Sequence, residues 1–163
     1  MDNKQRNPAY EIIILGLGNP LMSDDGIGVF VADELKKMEW PPQLLIIEVG
    51  TSVFYYLQEI SQARHVIAID AFQAGGNPGC VYRLDIEDVV DCPEQDAHGI
   101  SLPGIVKLAR STTGFPEAIT IYGVEPEKLD FGEGLTFTAK SAVPKLISLL
   151  KDDIQKLISY NQG

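Results

Sequence analysis

Cysteine is scarce in this chain, with only Cys80 and Cys92 in 163 residues. Neither lies in a CxxC pair or beside a histidine, so a disulfide framework, a thiolate metal cage and a catalytic thiol are all poor readings. Both are expected to be free thiols. Positive charge is also in short supply: 13 Lys and Arg stand against 23 Asp and Glu, a formal charge of −10. Such a balance repels phosphate backbones and anionic lipid, which argues against nucleic-acid and membrane partners. No apolar run reaches the length of a membrane span, and Met1 to Glu11 is polar where a secretory segment would be apolar. The expectation from these absences is a cytoplasmic protein. The chain also has no G-x-S-x-G, no H-E-x-x-H and no phosphate-loop lysine. Gly16-x-Gly18 begins like a dinucleotide fingerprint, but Leu21 occupies the third glycine position.

What is present is a hydrophobic fraction of 45% in a chain of single-domain length, so residues 1–163 are read as one domain with a substantial core. Its organising stretch runs from Leu15 to Gly28, where Ile12-Ile13-Ile14-Leu15 leads into Gly16-Leu17-Gly18-Asn19-Pro20 and then Ser23-Asp24-Asp25-Gly26. The β-branched run has the pattern of a strand buried on both faces of a parallel sheet. Ser23 or Asp24 is expected to cap a helix carrying Ile27, Val31, Leu35 and Met38 on one face, stopped by Pro41-Pro42. Gly26 and Gly28 weaken that helix, and make sense where its backbone must approach a strand or substrate closely.

Leu44 to Val49 and His65 to Ile69 repeat the buried-strand pattern, with a short helix after Ser52 between them. Gly75-Gly76-Asn77-Pro78-Gly79 is a turn, and Cys80 to Leu84 alternates as an exposed or antiparallel edge strand would. Ile86 to Ala97 is acidic and irregular. Ser101 and Pro103 then mark a helix running to about Arg110. Ala118 to Tyr122 is the last strand. Thr136 or Thr138 opens a terminal helix with Val143, Leu146, Leu150, Ile154 and Leu157 on one face, which Pro144 should kink or truly begin. Strands alternating with amphipathic helices specify an α/β fold, a mainly parallel sheet covered on both faces.

In such a sheet the loops at the strands' carboxyl ends form the crevice where ligands gather. Asp25 follows the first strand and Asp70 ends the third, so the two carboxylates become neighbours if the first strand lies between the second and third. His98 lies in a loop of suitable direction. Two carboxylates and an imidazole form a mixed ligand set suited to a divalent metal such as nickel or zinc. The plainer alternative is that Asp24 and Asp25 only cap a helix and favour its dipole. His65, at the other end of its strand, reads as structural or surface.

Gly-Leu-Gly-Asn-Pro followed by Ser-Asp-Asp-Gly-Ile-Gly resembles the N-terminal signature of the [NiFe]-hydrogenase maturation endopeptidases. The strand ending in Asp70-Ala71, the Ala97-His98 turn, Gly123-Val124-Glu125-Pro126-Glu127 and Phe131-Gly132-Glu133-Gly134-Leu135 extend the likeness along nearly the whole chain. The resemblance implies a three-layer α/β/α sandwich of the phosphorylase/hydrolase-like type, with a mixed five-stranded sheet containing one antiparallel strand. It implies a peptidase that removes a C-terminal peptide from the precursor of a hydrogenase large subunit once nickel has been inserted. The family's metal-contacting acid, acid and histidine fall by motif position on Asp25, Asp70 and His98, which would also be the catalytic set. Nickel would then be presented by the precursor, with no permanent cofactor in the enzyme, which would work as a monomer. Relatives often carry Ser or Thr just ahead of the histidine. Here Asp96-Ala97 precede it, and Asp96 is available to hold the second ring nitrogen. Two other readings are a peptidyl-tRNA hydrolase-like esterase, which shares the Gly-Leu-Gly-Asn-Pro turn but continues differently, and a non-catalytic chaperone that holds the precursor.

Overall fold

The computed structural model describes residues 7–88 and 102–162. Cys92, His98 and Ser101 lie outside them. Five strands form a single sheet in the order β2-β1-β3-β5-β4: β1 Tyr10–Leu17, β2 Leu44–Gly50, β3 Ala63–Ala71, β4 Val81–Asp85 and β5 Ala118–Val124. β2, β1, β3 and β5 run parallel, and only β4 is antiparallel, paired to β5 from Val81 opposite Val124 to Asp85 opposite Thr120. The alternating Cys80 to Leu84 segment is therefore an edge strand, shifted by one residue. β1 does lie between β2 and β3, with Ile14 opposite both Ile46 and Ile67.

Strand alternation divides the core in two. Ile12, Ile14, Ile67, Ile69, Tyr122 and Val124 pack on α1 (Ile27–Lys36) and on α4 (Phe137–Asn161). Ile13, Leu15, Val66, Ala68, Ile119 and Ile121 turn to the other face, against the short α2 (Leu57–Ile60) and α3 (Leu102–Thr113). The continuous apolar runs are thus required because both faces of the central strands are covered. His65 sits inside β3 near its start, where burial holds its imidazole below its ordinary pKa despite the carboxylates of Glu117 and Glu11 nearby.

Two local starts differ from expectation. Pro144 does not begin α4: the helix opens at Thr136, whose hydroxyl accepts from the Ala139 amide, and runs through Pro144 to Asn161. Pro144 lies on the exposed face, where water can satisfy the carbonyl that its missing N–H leaves free. Nor does Ser23 or Asp24 cap α1. A one-turn 3₁₀ segment, Ser23–Gly26, precedes it, and neither start carries a side-chain cap. The Asp24 carboxylate is engaged elsewhere, as shown below.

The glycines of the first helix behave as the sequence suggested. A Cβ on Gly28 would stand 2.1 Å from the Ile69 carbonyl oxygen and 2.4 Å from that of Leu17. α1 therefore lies directly on the carboxyl ends of β1 and β3, and backbone is what it meets. Gly28→Ala is expected to destabilise the fold by about 3 kcal/mol, since backbone cannot step aside as a flexible side chain can. Urea denaturation measures this, and an unchanged midpoint would refute the close approach.

Candidate active site

The turn after β1 is built on Gly18, whose φ of +111° is open to glycine and strained for other residues. Its amide donates to the Gly50 carbonyl at 2.9 Å, joining the carboxyl ends of β1 and β2. The Asn19 side chain accepts from the Leu21 amide at 3.0 Å, the local turn for which asparagine before proline is suited. These bonds fold the chain back so that the Asn19 amide donates to Asp25 Oδ2 at 2.8 Å. Asp25 is thereby fixed over the end of β1, half-buried, at a point six residues beyond the turn.

Asp70 arrives from the adjacent strand, half-buried, with Oδ1 accepting from the Ala71 amide at 2.8 Å. Gly18 lies between the two acids: a Cβ there would be 1.8 Å from the Asp25 carbonyl oxygen and 3.4 Å from Asp70 Oδ1. Burial, reinforced by the negative charge of Asp25, raises the Asp70 pKa from 3.8 to about 7, against the opposing pull of the Ala71 amide. A bound cation or a retained proton relieves this repulsion, and either is chemically useful at a crevice open to substrate.

The structure thus brings Asp25 and Asp70 together, while His98 is outside the described residues. Among the described residues no group of three or more His, Cys, Asp or Glu side chains is placed to hold a metal.

Two further carboxylates lie near this pair: Asp24, expected from sequence only to cap a helix, and Glu125, given no separate part there. Asp24 is buried beneath the loop that follows β5, accepting from the amides of Glu127, Lys128 and Thr136 and from the Thr136 hydroxyl. Burial works to raise its pKa, but these bonds, those of Thr136 foremost, outweigh it and hold the group below the ordinary carboxylate value. Glu125, also buried, accepts from the amides of Ala74 and Gly75 and from the Tyr82 hydroxyl, closing the loop that follows Asp70. A signal for Glu125 existed: like Asp70, it is an acid directly after a buried parallel strand. Asp24 offered none, because its donors lie more than a hundred residues away.

Residues 29–153 match the family model described as "Hydrogenase maturation protease". The chain belongs to the hydrogenase maturation protease family. Among its relatives in this family, the hydrogenase 2 maturation protease of Escherichia coli is 31% identical over 136 residues, covering 81% of this chain and 83% of the relative. The solved structures agree. The [NiFe] hydrogenase maturation protease HycI from Thermococcus kodakarensis superposes with a TM-score of 0.75 at 26% identity, over 90% of this chain and 93% of its own. The maturating endopeptidase HybD from E. coli gives 0.72 at 28% identity, over 88% and 94%. As a hydrogenase maturation protease the chain is a peptidase with the mixed, mainly parallel five-stranded sheet of these structures. The tRNA-esterase reading finds no support in these likenesses. No helix among the described residues is long and apolar enough to cross a membrane.

Proposed function

We propose that this peptidase removes the C-terminal peptide from the precursor of a [NiFe]-hydrogenase large subunit after nickel has been inserted, and that Asp25, Asp70 and His98 recognise the metal. The observation that carries the reading is the Asp25 and Asp70 pair, brought together beside Gly18 by the segment that follows β1 and by the end of β3. Nickel held by the precursor's own ligands is part of the substrate. Its contact with the two carboxylates and the imidazole would align the scissile bond beside a strong electrophile, so recognition and alignment become one event. With the Asp70 pKa raised to about 7, cation binding releases a proton from the protonated fraction, increasingly as pH falls below that value.

The surroundings of the pair suit a folded protein substrate. Leu21, Phe54, Tyr55, Phe131 and Phe137 are exposed large apolar side chains, and all lie on segments leaving the carboxyl ends of β1, β2 and β5. Phe131 and Phe137 are 78% and 87% exposed. Exposed apolar groups on the segments at the carboxyl end of the sheet suit a protein partner more than a small molecule.

Incubation with nickel-loaded precursor, followed by mass measurement of its C-terminus, tests the reading. Loss of one defined C-terminal peptide is expected. Asp25→Ala and His98→Ala enzymes are expected to bind the precursor and leave it at full length, which separates a peptidase from a chaperone. Normal processing by either variant would remove that residue from the site.

A further inference from the structure

We propose that Asp24 is a positioning residue for the cleavage reaction: it ties the 126–136 loop to the turn that carries Asp25, and so sets where Asp25 stands relative to Asp70. The inference rests on Asp25 belonging to the site proposed above. Asp24 itself is no ligand. It is 1% exposed, and its two oxygens already accept four hydrogen bonds. Oδ2 takes the amides of Glu127 at 2.9 Å and Lys128 at 3.1 Å and the Thr136 hydroxyl at 2.8 Å, while Oδ1 takes the Thr136 amide at 2.8 Å.

The backbone repeats the same connection. The Asp24 amide donates to the Lys128 carbonyl at 3.0 Å, the Ser23 amide to Gly132 at 2.8 Å, and the Gly132 amide to Leu21 at 2.8 Å. The Ser23 hydroxyl donates to the Asp130 carbonyl at 2.8 Å. Ser23 has a φ of +53°, the only positive value at a non-glycine residue among the described ones. A serine holds that conformation here because both its amide and its hydroxyl are bonded to the loop. The Ser23–Gly26 segment is a single tight turn, and Asp25 is the next residue after Asp24. Displacing one carboxylate in so short a turn displaces the other. Asparagine cannot replace Asp24, since its amide nitrogen would face at least one of the converging donors.

The test uses the whole chain and a nickel-loaded large-subunit precursor, with kcat and KM measured separately at a temperature where melting curves show each variant folded. Asp24→Asn is expected to lower kcat by about 10- to 100-fold while KM stays within about twofold, the signature of misplaced reacting groups. Thr136→Val, which removes one donor and keeps the backbone amide, is expected to lower kcat less, and Thr136→Ser, which keeps the hydroxyl, to restore it. Folded Asp24→Asn with wild-type kcat overturns the proposal. So does a rise in KM alone, which would make the loop a docking element, or equal behaviour of Thr136→Val and Thr136→Ser. If Asp24→Asn fails to fold, the Thr136 pair decides. Asp25→Ala runs beside them: normal cleavage there sinks both readings, whereas an inactive Asp25→Ala beside an active Asp24→Asn sinks only this one.

Discussion

Replacing Asp70 by asparagine is expected to abolish precursor cleavage while making the folded protein more stable at pH 8. The side chain keeps its shape and its acceptor for the Ala71 amide, so the fold has no reason to suffer. What it loses is a carboxylate confined by burial beside the charge of Asp25, which raises its pKa from 3.8 to about 7. The direction of the pH dependence follows from proton binding. Between the unfolded value near 3.8 and the folded value near 7, the folded state holds the proton more tightly. Stability therefore falls as pH rises through this window, and the full penalty is present above about 7. Below 3.8 both states are protonated and the penalty is absent. The shift corresponds to about 4 kcal/mol at most, and with solvent screening of a half-buried group Asp70→Asn should gain about 2 kcal/mol at pH 8 and almost nothing at pH 3.5, measured by urea denaturation. Cleavage should drop by about 10²- to 10⁴-fold, as for loss of a group acting on the reacting atoms. A variant less stable than wild type at pH 8 would show that Asp70 is a structural acid. Removing the Asp25 charge should in turn lower the pH at which Asp70 titrates, readable by NMR of its carboxyl carbon.

A precursor without nickel is expected to be cut about 100-fold more slowly than the loaded one, which corresponds to about 3 kcal/mol of metal-dependent stabilisation. Asp25 and Asp70, even with His98, form a sparse set for holding a transition metal permanently. With its pKa raised to about 7, Asp70 also holds a proton in part of the molecules near neutral pH, which an incoming ion displaces. A metal already bound by the precursor brings its remaining ligands with it, so the differential affinity of the site lies almost wholly in the loaded substrate. Brief chelation of the enzyme alone should therefore leave its activity intact once the chelator is removed. Because cation contact releases the Asp70 proton, the apparent KM for loaded precursor should rise as pH falls below about 7. Efficient cutting of nickel-free precursor, or a tightly held stoichiometric zinc needed for turnover, would favour a conventional metalloprotease.

Much of the architecture was legible because it depends on local pattern. Continuous apolar runs at Ile12 and Val66 are satisfied between two helical layers, whereas the similar run at Leu45 lies on the half-buried edge strand β2, and the alternation at Cys80 to Leu84 marks the other edge. The pairing of Asp25 with Asp70 followed from topology, since Asp70 closes β3 and Asp25 lies on the segment that leaves the carboxyl end of the neighbouring β1. Gly28 was also legible, because a glycine in the first turn of a helix implies something pressed against it.

The part played by Asp24 was not. An acid at that place in sequence reads as a helix cap, a local and ordinary role, and its neighbours offer nothing to contradict it. Its donors, Glu127, Lys128 and Thr136, come from the far end of the chain, and only closure of the sheet brings them over the turn. Pro144 was also not the start of its helix: α4 runs through it, with Ala142, Val143, Leu146 and Leu150 packed on the sheet and the proline on the solvent face. The elevated pKa of Asp70 belongs to the tertiary structure as well, because burial and the charge of Asp25 exist only once the two strands lie side by side. The sequence by itself determined the strands, the layers and the two acids at one edge, since periodicity and strand ends are local properties. That Asp24 holds the turn to the 126–136 loop was decided only when residues 24 and 136 came together, because its donors meet it nowhere but in the folded chain.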